Sequence, residues 1–160
     1  MEIVAKDETT RWCSQNGGAL SEHGLPYHAD ASAKFKIPED AGTRVWLVSQ
    51  GMKAFRDEPR FLVWFDDWAV WPSGQRMLVF DRFRLSYGES RRRIDSPGHV
   101  FGSGEIDDAI SFVTLAVLFL WDGYVVTPKR SKLLFFSHDE FGLSKGIDAD
   151  PPTGKPPTSH

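Results

Sequence analysis

Apolar residues in this chain gather into a few dense stretches separated by glycine, proline and charge. The densest runs from Ala109 through Ile-Ser-Phe-Val-Thr-Leu-Ala-Val-Leu-Phe-Leu to Trp121, apolar at nearly every position, so no face of it suits water. Just before it, Ser103, Glu105, Asp107 and Asp108 place a capping hydroxyl and three acids where a helix presents its positive end. The pattern predicts a buried central helix over residues 105–121. At about 1.5 Å per residue its apolar middle rises roughly 20 Å, short of the ~20 residues needed to cross a bilayer.

Two more helices follow from the pattern. Val45, Val48, Met52 and Phe55 recur every three or four residues after Pro38-Glu39-Asp40, which opens a helix well, and together they predict one over residues 39–56. The β-favouring run Val45-Trp-Leu-Val48 makes a strand at 44–49 the competing assignment. Over residues 75–87, Leu78, Val79, Phe83 and Tyr87 fall on one side and Arg76, Asp81 and Arg84 largely on the other. That is an amphipathic helix with its aliphatic side inward, closed by Gly88.

The short apolar runs predict strands. Arg60-Phe-Leu-Val-Trp-Phe65 has no breaker and reads as a buried strand, with Trp68-Ala-Val-Trp71 extending it or pairing back on it. Residues 124–127 and 132–137, four residues apart, predict a β-hairpin beside 60–65. Residues 1–36 read mostly as loop, apart from an edge strand at Ile3-Val4 and a short strand at Lys34 to Ile37. Ser96-Pro97-Gly98 reads as a turn, Gly123 as the close of the central helix, and Phe141 as the start of a short helical turn. After Lys145 almost nothing apolar remains, so the expected organisation is one globular domain over 1–144 and a flexible tail over 145–160. The expected fold class is α+β: a small, mostly antiparallel sheet from strands near 60–65, 124–127 and 132–137, packed against helices near 39–56, 75–87 and 105–121 on one face.

Composition narrows the functional classes. With 160 residues, six Trp and twelve Phe, the chain has enough apolar mass for one well-filled core and no room for a second. A net charge of −3 offers no general attraction to nucleic acid or to an anionic membrane, so neither is an expected partner. Cys13 is the sole cysteine, and the first residues lack a signal-peptide pattern; a reducing, cytoplasmic location is expected.

Five places carry candidate chemistry. Ser137-His138-Asp139-Glu140, if joined by His99 and Glu105, would supply imidazole and carboxylate for a metal ion or a general base, although no HExxH-like spacing is present. Pro97-Gly98-His99 before the central helix would present amides to an anion, but no P-loop or dinucleotide fingerprint accompanies it. Asp66 and Asp67, with a third ligand such as Asp122, would suit Mg²⁺. For each of these three an ordinary turn is the commoner explanation. Cys13 has no triad partner at a diagnostic spacing. Arg91, Arg92 and Arg93, with Arg82 and Arg84 upstream, would grip phosphate or a partner's carboxylates, though Asp81, Glu89 and Asp95 offset part of that charge. Trp64, Trp68 and Trp71 lie within eight residues, and an exposed tryptophan beside arginine has the composition of a binding hot spot.

With no complete catalytic motif and no implied cofactor, the expectation is a non-catalytic intracellular protein-binding module, such as an immunity or adaptor protein. Its partner would be another protein, contacted through Trp68, Trp71, Arg91, Arg92 and Arg93. The alternative is a small metal-dependent hydrolase or nuclease built on His99, His138, Asp139 and Glu140.

Overall fold

A computed structural model describes residues 1–15, 33–65, 74–128 and 131–147. Its organising strand is β3 (Arg60–Phe65), which has an antiparallel neighbour on each side, β4 (Gly98–Gly102) and β5 (Gly123–Val126). Beyond β5 come β6 (Leu133–Phe136), β7 (Phe141–Lys145) and β2 (Ala33–Lys36), and beyond β4 comes β1 (Glu2–Val4). The described residues thus form one seven-stranded antiparallel sheet in the order β1-β4-β3-β5-β6-β7-β2. The α+β class and the adjacency of the three expected strands hold.

The pleat sorts the sheet's side chains into two layers. Phe61, Val63, Phe65, His99, Phe101, Val125, Leu134 and Phe136 face one way, and Leu62, Trp64, Val100, Tyr124, Val126, Leu133 and Phe135 face the other. Both layers are buried. That is why 60–65 is apolar throughout rather than alternating.

Against the first layer lie α2 (Ala41–Met52), α3 (Gly74–Ser86) and α4 (Ile106–Leu118). Helix α2 is capped by Asp40, whose carboxylate accepts from the Thr43 amide at 2.6 Å and the Thr43 hydroxyl at 2.7 Å. The competing strand at 44–49 is not formed. The opposite layer is not left to loops: α1 (Lys6–Gln15), in a region expected to be mostly loop, packs Trp12 against it. Helix α1 sits so close to β4 that a Cβ on Gly98 would lie 2.2 Å from Thr9 Oγ1. Gly98 is therefore a spacer inside a strand, not the turn residue its setting suggested.

The ends of α4 differ from expectation in an informative way. Ser103 does not cap it; Ser103–Glu105 make a 3-10 turn, and the Glu105 carboxylate accepts the Gly102 amide at 2.9 Å. At the far end the helix stops before Trp121. The Trp121 amide donates to the Ala116 carbonyl at 3.0 Å and the Leu120 amide to Val117 at 3.3 Å, with Leu120 in the left-handed region at φ 54°. This six-to-one and five-to-two pairing is a Schellman closure in which leucine occupies the position glycine favours. Gly123, expected to close the helix, instead starts β5, where the Phe65 ring would come within 2.7 Å of a Cβ. Leu120→Gly should therefore raise unfolding free energy by about 0.5–1 kcal/mol, since it relieves a left-handed side chain. Urea unfolding checks this; an unchanged or lower midpoint contradicts it.

Candidate interaction surface

Helix α3 is rotated from the orientation its sequence pattern suggested: Phe83 and Tyr87 still turn inward, but Leu78 and Val79 do not, and Arg84 does. Phe80 and Arg84 are buried and Phe83 and Tyr87 partly so, whereas Leu78, Val79 and Leu85 are 57%, 54% and 59% exposed. Aromatic packing decides the rotation. Phe80 stacks on Phe112 of α4 at 4.4 Å and meets the edge of Trp121 at 5.2 Å, and Phe83 lies 5.2 Å from Phe112. Two phenylalanines in a ring cluster bury more apolar surface than the leucine and valine left outside. Tyr87 adds a tie by donating its hydroxyl to the Asp108 carboxylate of α4. Its pKa is pushed up to about 12, mainly by burial and then by that bond.

The same rotation carries Arg84 into the interior. Its Nη2 donates to Ser96 Oγ at 2.6 Å, while its buried Nη1 has no hydrogen-bond partner. Burial lowers its pKa, opposed by the charges of Glu89 and Asp81. Beside it, His99 is fully buried among Phe65, Phe80 and Phe112, and neither ring nitrogen has a hydrogen-bond partner. Its pKa falls well below the usual histidine value, first through burial and then through the Arg84 charge; the carbonyls of Val63 and Pro97 act weakly the other way.

The expected metal or base cluster is divided by this arrangement. His99 shares a row with Val63, Val125 and Leu134 across four strands, whereas His138 is four residues past Leu134, in the turn between β6 and β7. With strands about 4.8 Å apart and about 3.3 Å per residue, the two histidines are on the order of 15 to 20 Å apart. They cannot share an ion whose ligands lie at roughly 2 to 2.6 Å. Glu105 is engaged elsewhere, with the Gly102 amide and the Met1 amino group. Among the described residues no group of three His, Cys, Asp or Glu side chains is placed to hold a metal. Gly98 and His99, once candidates for an anion-binding turn, belong to a strand whose pairing occupies their backbone.

What the turn does contain is a pair that sixteen residues of separation concealed. Asp122 Oδ1 accepts the His138 amide at 2.6 Å and stands 2.8 Å from His138 Nδ1, while Asp139 lies 3.5 Å from Nε2. Glu140 follows at φ 61°, 3.5 Å from the Arg44 guanidinium. These contacts fasten the β6–β7 turn to the α4–β5 junction and to α2.

The three consecutive arginines are each engaged locally. Arg91 Nη2 reaches Glu89 at 2.6 Å and the Ile3 carbonyl at 2.9 Å, Arg92 bonds Asp95 at 2.7 Å, and Arg93 lies 3.6 Å from Asp81. Trp64 is buried against the second layer. Trp68, Trp71, Asp66 and Asp67 lie outside the described residues, as does most of the expected tail.

A groove of about 600 Å³ beside α1 is lined by Lys6, Asp7, Thr10, Ile94 and Asp95. Among the described residues no helix is long and apolar enough to cross a membrane. Compared with protein-family models, with curated proteins and with solved structures, the chain matches none.

The outward face of α3 was the feature the sequence hid. Apolar residues occupy both sides of this helix, so periodicity marks it as helical without saying which side is core.

Proposed function

We propose that this protein is a non-catalytic protein-binding module, of the kind an adaptor or immunity protein represents, and that it docks through the outward face of α3. The observation that carries this is the exposure of Leu78, Val79 and Leu85 on one helix. At 100° per residue, Leu78, Arg82 and Leu85 form one row, with Val79 and Ser86 beside it. Aliphatic rows of this kind mark contact surfaces more often than do scattered apolar residues. The separated histidines give an enzymatic reading no comparable support, and the engaged Arg91, Arg92 and Arg93 give a phosphate-binding reading none. A chain with one cysteine also suits the reducing cytoplasm.

The double substitution Leu78→Asp with Leu85→Asp tests the proposal. Both side chains are outside the core, so the melting temperature should stay close to that of the parent. Capture from native lysate should recover a stoichiometric protein partner with the parent and at least about tenfold less with the variant. Equal recovery by the two overturns the assignment to α3.

A further inference from the structure

We infer that the α3 face recognises an apolar helix of another protein carrying a carboxylate at its centre, and not a second copy of this chain. The inference rests on the docking proposal and adds the partner's chemistry. Arg82 sits between Leu78 and Leu85 in the exposed row and is itself exposed. Its neighbours one turn away, at i±3 and i±4, are Leu78, Val79, Leu85 and Ser86, so its own helix offers it no carboxylate. Asp81, adjacent in sequence, lies 3.6 Å from Arg93. The row is therefore a cation set in an aliphatic frame.

That composition selects the occupant. Two copies meeting across a two-fold axis through the middle of the row would put Leu78 against Leu85 of the other copy, and Arg82 against Arg82. A parallel pairing would also oppose the two arginines. Either way, closing the apolar contact removes water from around two like charges, which disfavours the assembly. An Asp or Glu in the middle of a partner's apolar stripe reverses the sign: the leucines exclude water, and the carboxylate accepts from a guanidinium that has five donors to offer. An amphipathic helix with anchors at i, i+3 or i+4, and i+7 matches the length of the row.

A displayed library of amphipathic helical peptides tests this, with leucines fixed along one face and the central residue of that face randomised. Selection on the intact protein should enrich Asp and Glu over Lys and Arg about tenfold at that position. The preference should vanish on Arg82→Met and reverse on Arg82→Glu, two substitutions at an exposed site that leave the fold intact. Sedimentation should find the parent monomeric at the same concentrations. Peptides that need Leu78 and Leu85 but show no charge preference overturn the carboxylate while leaving the docking face. A concentration-dependent dimer abolished by Leu85→Asp overturns it in favour of self-association. Selection that yields no peptide dependent on Leu78 and Leu85 overturns the docking face itself.

Discussion

Phe112→Ala should lower unfolding free energy by about 4 kcal/mol, a large part of the roughly 5 to 15 kcal/mol that holds a domain folded. Phe112 is fully buried in α4, with the rings of Phe80, His99, Phe65, Phe83 and Phe101 centred 4.4, 4.5, 5.2, 5.2 and 5.8 Å away. Those rings come from α3, β3 and β4, so one side chain joins a helix to the sheet and to a second helix. Truncation removes the transfer energy of a phenyl group and leaves a hole lined by rigid rings that collapse poorly. Urea unfolding should show a lower midpoint at unchanged slope, which separates lost stability from a change in the unfolded chain. By contrast Leu78→Ala, on the outward face of α3, should shift stability by no more than about 0.5 kcal/mol. A loss below about 1.5 kcal/mol for Phe112→Ala would contradict the central place given to this helix.

The parts of the fold legible in sequence share a physical feature: their identity follows from local composition. Residues 60–65 could only be a strand buried on both sides, and β3 has those bounds. The first hairpin strand starts and ends a residue earlier than expected and the second is a residue shorter at each end, and α4 keeps its acidic first turn while ending at Leu118. What misled was glycine. Gly98 reads as a turn residue and Phe141 as the start of a short helical turn, yet Gly98 and the Gly142 that follows Phe141 both lie inside strands because something must come close: Thr9 at Gly98, and the Phe35 ring, 2.1 Å from where a Cβ on Gly142 would be. Gly88 and Gly146, at φ 80° and 61°, do serve the backbone. Sequence alone does not separate a glycine needed for its dihedral from one needed for its empty side, and that hides β4; at β7 the expected helical turn from Phe141 is instead a strand paired with β6 and β2. Helix α1 was missed because Trp12 and Thr9 anchor it with no apolar stripe to announce them.

The candidate surface shows a related limit. The offset of Arg91, Arg92 and Arg93 by Glu89, Asp95 and Asp81 was readable, because those partners are near in sequence. The burial of Arg84 was not. A charged residue is assigned to water by default, and only the packing of Phe80 and Phe83 against α4 carries Arg84 inward, next to His99. Because α3 exposes aliphatics and buries a cation, it violates local pattern on both sides at once.

As pH falls below about 6.5 the protein should lose stability through His99, by at most about 1.4 kcal/mol per pH unit, and His99→Leu should remove that loss. The sign follows from which state takes up the proton. In the unfolded chain His99 protonates near its ordinary value of about 6.5. In the folded protein burial among Phe65, Phe80 and Phe112, together with the charge of Arg84 on α3, holds it neutral well below that. Its contribution is thus fully present above about pH 6.5 and declines as pH falls, by about 1.4 kcal/mol per pH unit, until the folded-state pKa is reached. Leucine is close to histidine in volume and has no nitrogen to leave unsatisfied. The variant should therefore be more stable at pH 7 by about 1–2 kcal/mol and show a flatter acid profile. Other carboxylates and histidines titrate alike in both proteins, so the difference between their two urea-midpoint profiles isolates this side chain. Arg84→Met supplies the cross-check: without the neighbouring charge, the folded-state pKa of His99 rises toward its ordinary value and the declining window closes at a higher pH. Parallel profiles for parent and His99→Leu would mean that the buried imidazole finds a proton-bound partner in the folded state.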